Sequence, residues 1–169
     1  SVINEEGTGN LQVLANGAAI EFGNNNLSKR YATFTHDGAV DLYHNNSKKI
    51  ETTATGITVT GTAVATTDTD TTNTGSVTLD FAAKQNFVLT LTGNVTLANP
   101  TTEQVGQSGF IAFIQDGTGG RTVALGTDYE TPAAAGLTLT ATASATDLVP
   151  YLVVASNRIL LGTPQLAFA

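Results

Sequence analysis

Residues 86–94 read Asn-Phe-Val-Leu-Thr-Leu-Thr-Gly-Asn, and this stretch carries the clearest structural signal in the chain. Phe87, Leu89 and Leu91 stand at alternate positions, which predicts a β-strand with one buried face. The following Gly-Asn pair predicts a turn. The same alternation recurs at Val77, Leu79 and Phe81 and at Leu137, Leu139 and Ala141. Residues 110–114 are apolar at every position, which favours a central strand or a strand at a subunit interface.

The composition of the whole chain favours β-structure. Thirty of the 169 residues are threonine and only 12% are charged, while the strong helix formers Glu, Lys, Arg and Met are scarce. Threonine and valine fit a pleated, half-buried backbone, and glycine and asparagine mark turns. The sequence therefore predicts an all-β protein.

Large apolar residues divide the chain into two parts. Val, Ile, Leu, Phe and Tyr account for 17 of the first 75 residues but for 30 of the last 94. We expect residues 76–169 to bury their own core as a head domain, an antiparallel β-sandwich or jelly roll of about eight strands. Residues 61–75, rich in Thr and Asp, are predicted to be a linker. Residues 1–60 are predicted to form a repetitive β shaft and an N-terminal attachment segment.

The shaft prediction rests on an internal repeat. Residues 19–26, Ala-Ile-Glu-Phe-Gly-Asn-Asn-Asn, align with residues 39–46, Ala-Val-Asp-Leu-Tyr-His-Asn-Asn, and a basic pair follows each segment. A period of about 20 residues is typical of stacked β architectures. Each repeat offers only two inward-facing apolar residues, so one chain would leave much of this surface exposed.

Three chains around one axis would bury these apolar stripes and protect the open strand edges. We therefore expect a homotrimer, intertwined or stacked in the shaft. Its predicted core residues are Ile20, Phe22, Val40, Leu42, Ile57 and Val59. The alternative is a degenerate β-meander that packs on the C-terminal half of the same chain.

Residues 41–53, running into residues 56–61, resemble shaft repeats of bacteriophage tail fibres, especially those of marine, cyanobacteria-infecting phages. Residues 86–94 and 147–161 resemble the knob that closes such fibres. The resemblance implies a homotrimer with a shaft and a distal head. It also implies a virion protein that is assembled in the host cytoplasm and displayed outside it.

The sequence offers little for catalysis, and we predict that the protein is not an enzyme. The two histidines, His36 and His44, both lie in the predicted shaft, so no serine of the head has a histidine base in its own domain. Residues 106–109, Gly-Gln-Ser-Gly, lack the G-x-S-x-G spacing of a nucleophile elbow. Residues 117–121 are glycine-rich but lack the Gly-Lys-Ser/Thr ending of a phosphate-binding loop. Asp128 and Glu130 would suit glycoside chemistry on one strand face, but a solvated loop before Pro132 is the simpler interpretation.

No metal or other cofactor is predicted. Asp68, Asp70 and Asn73 bring oxygen ligands together, but their spacing does not match an EF-hand loop. Three copies of His36 or of His44 on a trimer axis could hold a metal, although solvent-facing turn residues are the simpler interpretation. The chain has no cysteine, which excludes disulfides and thiolate ligands.

Charge and hydropathy limit the partners. The net charge is −7 and the seven basic residues are scattered, so we expect no nucleic acid partner. No apolar run is long enough to span a bilayer, and the acidic N-terminus does not read as a signal peptide. The expected partners are other copies of the chain, other virion proteins through the N-terminal segment, and a host-surface glycan or protein.

Recognition of a host surface is predicted on loops of the head, because loops on a rigid scaffold can vary without disturbing the core. The candidate segments are residues 116–121 and 127–135. The candidate contact residues are Arg121, Asp128, Tyr129 and Glu130.

Two other functions stay open. A capsid decoration or head fibre would attach to the shell and need no receptor. A bacterial surface adhesin or carbohydrate-binding module would need exposed aromatic platforms for sugars. The absence of Trp weighs against this last class, although Tyr129 and Tyr151 are candidates for such a platform.

Overall fold

A computed structural model describes residues 13–14 and 17–168. The chain divides into two compact units, an N-terminal unit that ends at Val64 and a C-terminal unit that begins at Ala65. The predicted attachment segment lies almost wholly outside the described residues. The prediction of an all-β protein is confirmed, because the described part of the chain has thirteen strands and a single helical turn, the 3-10 turn Pro132–Ala134. No described helix is long and apolar enough to cross a membrane.

The N-terminal unit is one antiparallel sheet whose strands follow the chain order. Its strands are β1 (Ala19–Gly23), β2 (Arg30–Thr35), β3 (Val40–His44), β4 (Ser47–Thr53) and β5 (Gly56–Val59). Asn45 and Asn46 join β3 to β4 with φ angles of 50° and 64°. Two residues with positive φ form the turn that suits a two-residue hairpin, and asparagine tolerates this conformation better than most residues. The Asn-rich segments of the repeat are thus the turns of the sheet.

The C-terminal unit is one mixed sheet. Its strands are β6 (Thr67–Thr78), β7 (Asn86–Ala98), β8 (Ser108–Gln115), β9 (Val123–Leu125), β10 (Tyr129–Glu130), β11 (Thr146–Ala155), β12 (Arg158–Leu161) and β13 (Gln165–Phe168). The order across the sheet is β10-β12-β11-β8-β7-β6, with β13 beside β11 and β9 beside β7. Strand β6 occupies residues 67–78, so residues 67–75 of the predicted linker are paired with β7 in this sheet.

The predicted antiparallel sandwich or jelly roll is not what the structure has. The C-terminal unit is a single curled sheet in which β6, β8 and β9 all pair with β7 in parallel. Parallel neighbours need crossover connections, and residues 79–85 provide the one between β6 and β7. Leu79 and Phe81 in that connection are buried, so the crossover closes over the inner side of the sheet. Alternation predicts one buried face but carries no information on strand direction or on the number of layers.

The core lies on the inner side of the curled sheet. Phe81 packs edge-on against Phe87 and Tyr151, with ring centroids 5.1 and 5.2 Å apart. Leu137 and Leu139, predicted to lie on a strand, pack against this core from an extended segment that is not a strand. Asp147 on β11 holds that segment, because its carboxylate accepts hydrogen bonds from the backbone N–H and the hydroxyl of Thr140.

Candidate functional site

The predicted trimer-core residues lie on one face of the five-stranded sheet. Directly paired residues of antiparallel strands point to the same side. One apolar surface therefore extends from β1 to β5. It is formed by the pairs Ile20–Phe34, Phe22–Ala32, Ala32–Leu42, Phe34–Val40, Leu42–Ile50 and Ile50–Val59. Ile57 lies two residues from Val59 and shares this side. We call this surface the shaft face.

The shaft face is largely uncovered in the described chain. Its large side chains are exposed by 37% or more, except for those of Ile20 and Val40, and Ile57 reaches 70%. Five strands about 4.8 Å apart and about five residues long span roughly 400 Å². An apolar patch of that size is comparable to the largest patch on a typical monomer, and such patches are often functional contact surfaces.

Three members of the shaft face were missed by the sequence reasoning: Ala32, Phe34 and Ile50. Phe34 contacts Phe22 edge-on at 5.9 Å between ring centroids. Alternation in residues 30–35, where Ala32 and Phe34 stand between polar residues, was the available signal. The aligned repeat segments, residues 19–26 and 39–46, do not include these residues.

Charged side chains occupy the opposite face of this sheet. Arg30 pairs with Glu21 at 2.8 Å, and Lys48 lies 3.1 Å from Asp41 and 3.0 Å from Glu51. The hydrogen bond to Glu51, followed by the one to Asp41, raises the pKa of the Lys48 ammonium. Surface ion pairs of this kind contribute little to stability. These three ion pairs lie on the face of the sheet opposite the shaft face.

The first predicted recognition loop, residues 116–121, is internally braced. The Asp116 carboxylate accepts hydrogen bonds from the backbone N–H groups of Thr118 and Gly119. It also accepts two hydrogen bonds from Arg121, one of them at 2.8 Å from Nη2. The Arg121 guanidinium is the main reason that the pKa of the Asp116 carboxyl is lowered. Arg121 is thus partly exposed but held in one orientation.

The second predicted loop does not present all of its candidate residues. Tyr129 is 5% exposed and Asp128 is 8% exposed, so both side chains face the interior. Burial, followed by the nearby charges of Asp128 and Glu103, raises the pKa of the Tyr129 hydroxyl. That hydroxyl has no hydrogen-bond partner among the described residues. Tyr129 and Asp128 are therefore unsuited to surface contact, contrary to the expectation of a polar-aromatic contact loop.

Glu130 is exposed, and it forms an ion pair that the sequence did not reveal. Its carboxylate accepts hydrogen bonds from Nε and Nη2 of Arg158 at 2.9 and 3.0 Å. This contact lowers the pKa of the Glu130 carboxyl. The two residues are 28 positions apart and meet because β10 pairs with β12. Of the four predicted contact residues, only Arg121 and Glu130 are accessible.

The other candidate sites are not assembled in the described chain. Tyr151, the second candidate sugar platform, is buried, and its hydroxyl donates to the carbonyl of Gln85. Asp128 is buried while Glu130 is paired with Arg158, so the two carboxylates do not share an exposed face. His36 lies in the β2–β3 turn, 3.2 Å from Asp37, and His44 ends β3. Among residues 13–14 and 17–168, no three His, Cys, Asp or Glu side chains form a metal-binding group.

The fold and these surfaces define an all-β structural protein with a sheet face open to contact. Residues 71–155, which are 85 of the 169 residues, match the family described as "Putative phage tail fibre C-terminal domain". The chain belongs to this phage tail fibre family, and the resemblance to tail fibres is confirmed. The family is a structural one and implies a location in the virion. No curated protein and no solved structure matches the chain.

Proposed function

We propose that this protein is a homotrimeric fibre segment of a bacteriophage tail, in which three copies of the shaft face bury one another and the C-terminal unit acts as the head. The observation that supports the proposal most directly is the exposure of large apolar side chains along one face of the five-stranded sheet. An exposed apolar face in a tail fibre family fits self-association better than exposure to water.

The proposal extends to host recognition by the head. Arg121 and Glu130 are its contact residues, because both are charged, accessible and held in fixed orientations by Asp116 and Arg158. Trimerisation would present each residue three times, so that weak individual contacts combine into useful avidity. The N-terminal segment, outside the described residues, would attach the fibre to other virion proteins.

Adjacent residues of β5 allow a matched test of assembly. Ile57 points to the shaft face and Thr58 to the charged face, and both are exposed. We expect Ile57→Asp to raise the concentration at which the protein dissociates by at least about tenfold, and Leu42→Asp at the centre of the face to raise it further. Thr58→Asp should leave it unchanged.

Light scattering and sedimentation give the mass of each variant. The unmodified protein should have three times the 17.4 kDa mass of the chain. A folded monomer at working concentrations would contradict the proposal. An equal effect of Ile57→Asp and Thr58→Asp would show that added charge, and not the shaft face, controls assembly.

A further inference from the structure

A cleft in the C-terminal unit is lined by strands β9 and β10 and by the segment that follows β10. Its volume is about 580 Å³, which is within the range of small-molecule sites. The lining comes from a single stretch of chain and consists of residues 123–126, 129–131 and 134–137. This stretch includes Glu130, one of the two accessible contact residues of the head. We call the cleft the β9–β10 cleft.

The segment that lines the cleft after β10 has an unfavourable backbone conformation. Ala133 and Ala134 have φ angles of 55° and 56°, and Gly136 has one of 73°. Glycine adopts this left-handed region freely, whereas the Cβ atom of alanine makes it unfavourable. Residues held in such conformations cluster at ligand-binding and other functional sites. Two left-handed alanines beside a cleft therefore indicate a functional turn.

Hydrogen bonds within the chain fix the shape of the cleft. The Thr131 carbonyl accepts a hydrogen bond from the backbone N–H of Ala134, and the Thr131 hydroxyl accepts one from Gly136. The Glu130 carboxylate is held by Nε and Nη2 of Arg158 at 2.9 and 3.0 Å. A preformed site binds a ligand without the entropy cost of ordering its own groups.

The lining combines apolar surface with a few polar groups, as small-molecule sites do. The apolar part includes Val123, Leu125, Tyr129 and Leu137. Each oxygen of Glu130 accepts one hydrogen bond from Arg158 and retains a lone pair for a ligand hydroxyl. The Thr131 hydroxyl can still donate its own hydrogen. A sugar ring presents both C–H faces and hydroxyl groups, so it matches both kinds of surface.

Charge narrows the class of sugar. Among the described residues, Glu130 is the only charged one that lines the cleft. The lining has no Lys or Arg to receive a carboxylate or a phosphate, and the net charge of −7 repels anions. An amino group would gain little, because Arg158 already balances the charge of Glu130. A neutral sugar fits the cleft better than a charged one.

We propose that the β9–β10 cleft binds a neutral saccharide, whose hydroxyl groups contact the Glu130 carboxylate and the Thr131 hydroxyl and whose C–H groups contact the apolar lining. This inference rests on the host recognition proposed above, to which it adds a defined site and a ligand class. Arg158 is a positioning residue in this site, since it holds Glu130 and does not line the cleft.

Matched sugars test the ligand class on the full-length protein by saturation-transfer NMR and calorimetry. The probes are the methyl glycosides of glucose, galactose, mannose and N-acetylglucosamine, together with the uronic acid of each hexose. At least one neutral glycoside should bind at least about tenfold more tightly than its uronic acid. Glu130→Gln should weaken that binding and reduce the discrimination, because it leaves the positive charge of Arg158 unbalanced.

Two residues near the start of β9 provide matched variants. Ala124 and Thr122 are both exposed, but Ala124 lines the cleft and Thr122 does not. Ala124→Trp should fill the cleft and weaken binding of the neutral glycoside at least about tenfold, while Thr122→Trp should leave it unchanged. Circular dichroism of both variants verifies that they are folded.

The outcomes separate this inference from the proposed function. Adsorption to host cells without binding of any neutral glycoside would overturn the sugar site but not host recognition. Binding of a neutral glycoside without adsorption would support the sugar site and overturn host recognition. Equal affinity for neutral and acidic glycosides, or equal effects of Ala124→Trp and Thr122→Trp, would overturn the inference.

Discussion

At the scale of one residue, burial of Tyr129 has opposite effects on stability for the ring and for the hydroxyl. Its ring belongs to the core, whereas its hydroxyl is buried without a hydrogen-bond partner among the described residues. A buried, unpaired polar group lowers stability by about 1–3 kcal/mol, while a buried ring stabilises.

Two substitutions at Tyr129 should therefore act in opposite directions. We expect Tyr129→Phe to leave the free energy of unfolding unchanged or to raise it by about 1 kcal/mol, since it removes only the unpaired hydroxyl. Tyr129→Ala should lower it by about 3–5 kcal/mol because it leaves a cavity. Chemical denaturation of both variants provides the measurement. A loss of stability in Tyr129→Phe would mean that the hydroxyl has a partner, such as a buried water.

Asp147 links three elements of the C-terminal unit. It is 1% exposed on β11, and it accepts hydrogen bonds from Thr140 in the extended segment and from the backbone N–H of Ala167 in β13. The carboxylate thereby replaces the strand partner that the extended segment lacks. Hydrogen bonds to a charged group contribute more than neutral ones.

We expect Asp147→Ala to lower the free energy of unfolding by about 3 kcal/mol or more, because it removes three hydrogen bonds to a buried carboxylate, two from backbone N–H groups and one from the Thr140 hydroxyl. Asp80 is a matched control, since its carboxylate also accepts two backbone hydrogen bonds, from Ala82 and Ala83, but at an exposed position. Asp80→Ala should cost only about 1 kcal/mol. Thermal unfolding of the two variants side by side tests the difference. Equal losses would show that burial of Asp147 is unimportant.

Some of the strands predicted from the sequence are confirmed in the C-terminal unit, and one is not. Alternation correctly predicted the strand that includes Phe87, Leu89 and Leu91, and the apolar run at residues 110–114 correctly predicted a central strand, β8. Alternation wrongly predicted a strand at Leu137 and Leu139. An extended segment that packs one side against a core has the same alternating pattern, although it has no hydrogen-bonded neighbouring strand. Whether a neighbouring strand is present depends on the path of distant residues.

At the scale of the whole molecule, the proposed host recognition predicts how substitutions in the head change binding of the protein to host cells. Each of the two accessible contact residues has an ion-pair partner, and substitution of that partner serves as the control. If Arg121 and Glu130 contact the receptor, Arg121→Gln and Glu130→Gln should reduce binding of labelled protein to host cells at least about tenfold. The partner variants Asp116→Asn and Arg158→Gln break the same ion pairs and should reduce binding less, because they release the contact side chain from its fixed orientation but leave its charge in place.

Two results would count against this proposal. Equal losses in all four variants would mean that the ion pairs shape the loops and that the side chains make no contact themselves. Full binding by all four would place recognition elsewhere, or favour the capsid decoration that needs no receptor. Unfolding curves should be similar for all four variants, since exposed ion pairs contribute little to stability.

The sequence by itself determined the β class, the turns, the apolar stripes and the family, because these depend on residue type and short periods along the chain. Ile20 and Phe22 share a side of β1 because they alternate along it, as Val40 and Leu42 do along β3. Only the tertiary structure decided that β6, β7 and β8 run parallel, that Tyr129 and Asp128 are buried, and that Glu130 meets Arg158. Those features arise from pairing between residues far apart in sequence, for which local periodicity carries no information.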